Sequence, residues 1–116
     1  MANILNNKKF INAENTANGE VSGETVFNYK QDGKQIEAVY SGGAIKKGHL
    51  IGVMTGDNTF TMFYHHVNLN DDIRAGQCHS TILTEQNGKL KLIESWQWLN
   101  GDCSKGQSVL IEIEHA

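Results

Sequence analysis

The stretch VFNYKQDGKQIEAVYSGG, residues 26–43, decides the fold. Its large apolar side chains fall on alternate positions on both sides of Asp32-Gly33, a dipeptide typical of tight hairpin turns. A turn at that dipeptide pairs Tyr29 with Ile36 and predicts two antiparallel strands. One face then carries only bulky residues, namely Phe27, Tyr29, Ile36, Ala38 and Tyr40. The opposite face is polar and suited to water, with Asn28, Lys30, Gln35 and Glu37.

Comparable turn signals divide the rest of the chain into strand-length segments. They recur at Gly42-Gly43, Gly56 to Asn58, Asn70 to Asp72, Asn87-Gly88 and Asn100 to Gly106. The 116 residues include 12 Gly and no Pro, so Gly, Asn and Asp must make the turns. Only residues 3–11 could form a short helix, with a short strand from Lys9 to Ala13 as the alternative and a polar loop over 12–20. We predict one domain over 1–116, in which 1–20 form an N-terminal segment and loop.

This pattern predicts an all-β fold, an antiparallel up-and-down meander of seven to eight strands. A single sheet of that length with one apolar face twists and closes on itself, which favours a small barrel. Closure also removes exposed strand edges, which a chain without Pro cannot protect in the usual way. A sandwich of two sheets is the alternative fold.

Polar and aromatic side chains share the predicted inner face. Tight turns would pair His49 with His66 and His79 with Trp96, and alternation then also brings Lys47, Gln77 and Thr81 inside. A cavity that binds a polar ligand needs a few donors and acceptors on aromatic walls. Satisfied polar groups in a packed core, or polar groups at the barrel mouths, would be the alternative. The predicted ligand-binding residues are Tyr40, His49, Tyr64, His66, His79, Glu94, Trp96 and Trp98.

The same alternation assigns most of the remaining apolar residues. Expected inside are Ile45, Ile51, Val53, Phe60, Met62, Leu83, Leu92, Val109, Ile111 and Ile113. Expected outside are Leu50, Met54, Phe63, Val67, Ile82, Ile93 and Leu99. Because that outer patch is large for a monomer, we predict a homo-oligomer formed through strands between residues 48 and 99.

Catalytic or metal chemistry has weaker support in the sequence. Glu94, between aromatic rings, or His79 could act as a general acid or base. His49, His66 and Glu94 could in principle hold zinc or iron, but paired neighbours alone do not make a tetrahedral site, so we predict no metal and no cofactor. Cys78 and Cys103 are expected too far apart for a disulfide and are predicted to be free thiols.

Charge and hydropathy exclude several kinds of partner. The chain has 10 Lys and Arg and 13 Asp and Glu, which gives a net charge of −3. It therefore lacks the excess of basic residues that binding to nucleic acid requires. No apolar run reaches the roughly 18 residues of a membrane span. The start MANILNNKKF has no apolar core typical of a secretory signal, so we expect a soluble, cytoplasmic protein.

Several segments resemble a known family. YSGGAIKKGHLIG, FYHHVN, GQCHSTILTEQNGKLKLIESWQWLNGD and SKGQSVLIEIE are similar to small bacterial proteins labelled "n-acetylglutamate synthase", over about residues 18–113. The resemblance implies an avidin-like barrel and, from the label, acetyltransferase activity. It nominates His49, Tyr64, His66, Glu94, Trp96 and Trp98 as family-like positions. The sequence carries no pyrophosphate-binding loop before a helix.

Three functions remain open at this point. The first is a non-catalytic barrel that binds a small molecule between its polar and aromatic residues. The second is an enzyme, an acetyltransferase as the resemblance implies or a small lyase or isomerase that uses Glu94 or His79. The third is a structural, oligomeric protein with a filled core.

Overall fold

The computed structural model describes residues 3–113, which form a closed barrel of eight antiparallel strands in chain order. The predicted all-β barrel is confirmed, whereas the two-sheet sandwich is not formed. Residues 4–7 form a turn instead of the expected helix, and the predicted short strand is the beginning of β1. The strands are β1 (Lys9–Asn15), β2 (Val26–Asp32), β3 (Gln35–Gly42), β4 (Ile45–Met54), β5 (Thr59–Asn68), β6 (Ile73–Thr84), β7 (Leu90–Trp98) and β8 (Lys105–Ile113).

The β2–β3 hairpin has the predicted faces with a slightly different turn. Tyr29 lies opposite Ala38, not Ile36, because the strands pair up to Asp32 and Gln35. The shift moves every partner by two positions, so it leaves both faces unchanged. The inner residues are buried and alternate with outer residues that are mostly polar, with Val39 as the exposed apolar exception.

A β-bulge reverses the predicted faces over most of β4. Ile45 is buried, but the register of β4 shifts between Ile45 and Lys47 against β5. An inserted residue turns every later side chain to the other face. The inward prediction is therefore wrong for Lys47 and His49, and for Ile51 and Val53, which are 50% and 47% exposed. Leu50 and Met54, expected outside, are buried.

The predicted faces of β6 and β8 are also reversed. The two connections that flank β6 each have five residues between the last paired positions, 68–72 before the strand and 85–89 after it. Loops with an even number of residues were expected at both places. Buried on these two strands are Cys78, Ser80, Ile82, Ser108 and Leu110. The inward prediction is wrong for Gln77, His79, Thr81, Leu83, Val109, Ile111 and Ile113, and the outward one for Ile82. Because these errors cancel in pairs, the faces of β5 and β7 are as predicted.

Three glycines on the inner face leave room for aromatic rings of the adjacent strands. A Cβ added at Gly48 would lie 2.4 Å from the Tyr40 ring, and one at Gly106 would lie 2.2 Å from the Trp96 ring. A Cβ added at Gly76 would likewise overlap the side chain of Tyr64. Each ring therefore lies against the backbone of a neighbouring strand. Both cysteines are free, as predicted, with Cys78 buried and Cys103 exposed.

Candidate functional site

An aromatic cavity occupies the barrel interior beneath the loop that joins β1 to β2, residues 16–25. The space open to the centre of a water-sized atom measures about 50 Å3. Its walls carry five aromatic rings and a few polar groups, which is the composition expected of a small-molecule site. The lining residues are Asn15, Gly19, Glu20, Val21, Phe27, Tyr40, Leu50, Met62, Tyr64, His66, Cys78, Glu94, Trp96, Trp98 and Ser108.

The two tryptophans of β7 are fixed by the first strand and its loop. Trp96 donates from Nε1 to Oδ1 of Asn15 at 3.2 Å, and Trp98 donates from Nε1 to the carbonyl of Asn18 at 3.1 Å. Their rings meet edge to face with centroids 5.5 Å apart. Both indole donors are therefore satisfied within the protein.

Glu20 fastens the β1–β2 loop to the barrel wall. Its carboxylate accepts a hydrogen bond from Arg74 at 2.9 Å and lies 2.8 Å from Nε2 of His66. Asn68 donates to both oxygens at 3.3 and 3.4 Å. The Arg74 guanidinium also lies 4.0 Å from the centre of the Trp98 ring. One loop carboxylate is thus held by β5 and β6 together.

His66 connects this contact to the cavity wall. Its Nδ1 lies 2.9 Å from the Tyr40 hydroxyl, and burial, the largest effect, lowers the pKa of His66. A neutral ring that donates from Nε2 to Glu20 must accept at Nδ1, so the Tyr40 hydroxyl donates to it. Burial raises the pKa of Tyr40, which keeps that hydroxyl protonated.

Glu94 is the acidic group of the interior. Oε2 accepts from the hydroxyl of Ser80 at 3.3 Å, and Oε1 accepts from that of Ser108 at 3.1 Å. Burial raises the pKa of Glu94 to about 7, and the two serine hydrogen bonds only partly oppose this. The carboxyl therefore changes charge near neutral pH, inside the cavity wall.

Six of the eight predicted site residues line this cavity. Tyr40, Tyr64, His66, Glu94, Trp96 and Trp98 are brought together as expected, although their role in binding stays a prediction. The prediction is wrong for His49 and His79, which point away from the interior because the faces of β4 and β6 are reversed.

The reversed strands also remove the arrangement considered for a metal. On the outer face His49 lies beside His65, with ring centroids 5.8 Å apart, and its Nε2 is 3.9 Å from Glu37. His66 points inside, opposite Gly48. Among residues 3–113, no three His, Cys, Asp or Glu side chains are grouped so as to hold a metal ion.

Sequence reasoning missed the contribution of the β1–β2 loop and of the reversed strands. Asn15 and Glu20 come from the segment 12–20, which was predicted only as a polar loop, and Val21 follows it, whereas Cys78 and Ser108 belong to the strands whose predicted faces are reversed. Gly48 was a usable signal, since an inward glycine opposite an aromatic ring indicates the true face of β4. No local pattern marks Glu20, because its partners are 46 to 54 residues away.

We expect Glu20→Ala to loosen the β1–β2 loop without unfolding the barrel. The substitution removes the contacts to Arg74, His66 and Asn68, which leaves Trp98 less covered. Acrylamide should then quench tryptophan fluorescence more strongly, and amides of residues 16–25 should exchange faster. Glu24→Ala removes the same charge from an exposed position in the same loop and should change neither signal. Equal behaviour of the two variants would contradict the assigned role of Glu20.

A sequence profile of the family described as avidin-like protein matches residues 3–113 of the chain. The chain belongs to the avidin-like family. Among solved structures, this avidin-like barrel is similar to apo shwanavidin, with a TM-score of 0.64 and 12% identity, over 95% of this chain and 97% of that one. At this identity the likeness shows a shared fold. Comparison with curated proteins finds no match.

Family membership confirms the barrel implied by the resemblance noted above, but neither comparison supports the acetyltransferase label. From residue 3 to residue 113, the avidin-like chain forms strands and turns, without a helix whose N-terminus could receive a pyrophosphate. Nor do these residues include a helix of the length and apolar character needed to cross a bilayer.

Proposed function

We propose that this avidin-like protein binds a small molecule in the barrel cavity without transforming it. The observation that carries the proposal is the combination of five aromatic rings with Glu94 and His66 around one space beneath a fastened loop. A barrel of eight strands is large enough to hold one small ligand.

Tryptophan fluorescence gives a direct test, since Trp96 and Trp98 are the two tryptophans of the chain and both line the cavity. A panel of small metabolites of varied charge is titrated, and each hit is checked by thermal stabilisation. We expect saturable changes with at least one compound, abolished by filling the cavity with Ser108→Phe. Silence across the panel, in a protein that is folded and pure, would favour the structural role with a filled core.

Acid–base catalysis by Glu94 is the second candidate, because its pKa of about 7 suits proton transfer. His79, the alternative acid–base candidate, is on the opposite face of the sheet. Turnover of a cavity ligand that is lost in Glu94→Gln would establish this function. With acetyl-CoA and glutamate we expect no turnover.

A cytoplasmic location stays a prediction.

We also propose that the chain forms a homo-oligomer through an outer patch on β3–β5, made of Val39, Ile51, Val53 and Phe63. These side chains are 47–60% exposed, and Ile51 lies directly opposite Phe63. Glu37 and His49 lie beside the patch, so a second copy related by twofold symmetry can place its Glu37 near His49 of the first copy. This patch replaces the predicted one, from which Leu50, Met54 and Ile82 have moved into the core.

Phe63→Glu should convert the oligomer into monomers, because each interface would bury a carboxylate without a partner. Sedimentation at several concentrations measures this directly. Leu69→Glu is the matched control, since Leu69 is equally exposed, at 61%, but lies in the β5–β6 turn. If the unmodified chain is a monomer at every concentration, the interface is not formed.

A further inference from the structure

The side chain of Glu94 lies in the barrel interior without a cation beside it. Each of its oxygens receives one hydrogen bond, and both donors are neutral serine hydroxyls. Within residues 3–113 it takes part in no ion pair, although Lys8, Lys46, Lys91 and Arg74 all do. Buried carboxylates in proteins are normally paired with a positive group. Glu94 is an exception.

The titratable groups that face Glu94 from other strands supply no positive charge. They are the phenols of Tyr29 on β2, Tyr40 on β3 and Tyr64 on β5, together with the thiol of Cys78 on β6. Burial raises the pKa of all four, so they remain neutral. The Tyr29 hydroxyl is moreover buried without a hydrogen-bond partner in the described chain.

The rest of the cavity wall also favours positive charge. Five rings, from Phe27, Tyr40, Tyr64, Trp96 and Trp98, surround the space, and aromatic faces attract ammonium groups. The second acidic side chain, Glu20, is already bonded to Arg74 and His66 at the mouth. Across residues 3–113, neither Lys nor Arg lines the cavity. An anionic ligand would find no counter-charge there.

We propose that the ligand of this cavity carries a positively charged nitrogen, a primary or quaternary ammonium, for which Glu94 is the counter-ion and the aromatic rings are the walls. The inference rests on the proposed binding function and specifies its ligand class.

The charge of Glu94 makes the proposed binding dependent on pH. A cation binds the ionised carboxylate, and the group ionises with a pKa of about 7 in the empty site. Affinity should therefore increase about tenfold between pH 6 and pH 8. A neutral ligand that accepts a hydrogen bond from the protonated carboxyl would show the opposite trend. The affinity of a ligand that does not contact Glu94 would not depend on the ionisation of this group.

The experiment compares amines with uncharged molecules of the same shape. Benzylamine is paired with benzyl alcohol, and benzyltrimethylammonium with neopentylbenzene, and each is titrated by tryptophan fluorescence at pH 6 and pH 8. We expect the amines to bind at least about tenfold more tightly than their partners at pH 8. Glu94→Gln should abolish that preference and the pH dependence, whereas Glu14→Gln, at an exposed position of β1, should retain both.

The outcomes separate this inference from the binding function itself. Binding of uncharged or anionic compounds from the metabolite panel, with amines no better than their matched partners, would overturn the ammonium class and leave the binding function intact. No binding of any compound would overturn both. If Glu94→Gln fails to fold, the pH dependence measured on the unmodified protein still decides, since tighter binding at low pH contradicts a cationic ligand.

Discussion

Glu94→Gln should make the empty barrel more stable at about pH 8 and change little at pH 4.5. Burial raises the pKa of Glu94 from 4.5 to about 7, so the folded protein keeps a proton that the unfolded chain releases. Stability from this group is fully present below pH 4.5 and is lost as pH rises through 7, a loss of about 3 kcal/mol. Gln carries no charge, and the hydroxyls of Ser80 and Ser108 can donate to or accept from its amide.

Chemical denaturation at a series of pH values measures this directly. The difference in unfolding free energy between the variant and the unmodified protein removes the contributions of all other titrating groups. It should grow by about 3 kcal/mol between pH 4.5 and pH 8. Glu14→Gln is the matched control at an exposed position of β1, and its difference should stay nearly constant. A flat difference for Glu94→Gln would mean that the carboxyl is solvated in the folded protein.

Gly106→Ala should destabilise the barrel by about 2 kcal/mol, although it adds a single methyl group. That methyl would lie 2.2 Å from the Trp96 ring and 2.3 Å from Oγ1 of Thr16. The ring cannot move freely, because Trp98 packs against it and Asn15 accepts its hydrogen bond. We expect a lower midpoint in chemical denaturation and a changed tryptophan spectrum, since the displaced ring lines the cavity.

Two further variants identify the cause of that loss. Gly23→Ala adds the same methyl where the nearest atom is 3.6 Å away, so its unfolding free energy should change by less than about 0.5 kcal/mol. In a Trp96→Ala background, Gly106→Ala should cost much less than in the unmodified protein, because the ring is gone. Additive losses would show that the Trp96 ring does not explain the effect, which would then come from the contact with Thr16 or from the backbone freedom of Gly106.

The first hairpin shows how far sequence patterns can reach in this chain. Residues from Val26 to Tyr40 alternate cleanly, so an error of one residue in the turn left Tyr29 and Tyr40 on the inner face. The same reasoning failed at β4, because the local sequence pattern predicts neither the bulge after Ile45 nor its position. Ile51 and Leu50 are both apolar, and composition alone cannot distinguish which of them is buried.

Some residues of the candidate site could likewise be predicted from the local pattern, whereas others could not. Trp96, Trp98 and Glu94 alternate with polar or smaller residues on β7, and this alternation was enough to place them inside. His79 and Cys78 are neighbours on β6, and only the length of the β5–β6 turn decides which one faces the cavity. Glu20 was not predictable from its surroundings, since its partners come from β5 and β6.

By itself, the sequence determined that this chain is a meander of antiparallel strands and that tyrosine, tryptophan and glutamate side chains meet inside it. These properties depend on a period of two residues and on turn chemistry, both of which are local. The tertiary structure alone decided which faces of β4, β6 and β8 are internal, and that Glu20 covers the cavity. Those outcomes depend on bulges, loop lengths and contacts between distant segments, whose energies are settled only when the barrel closes.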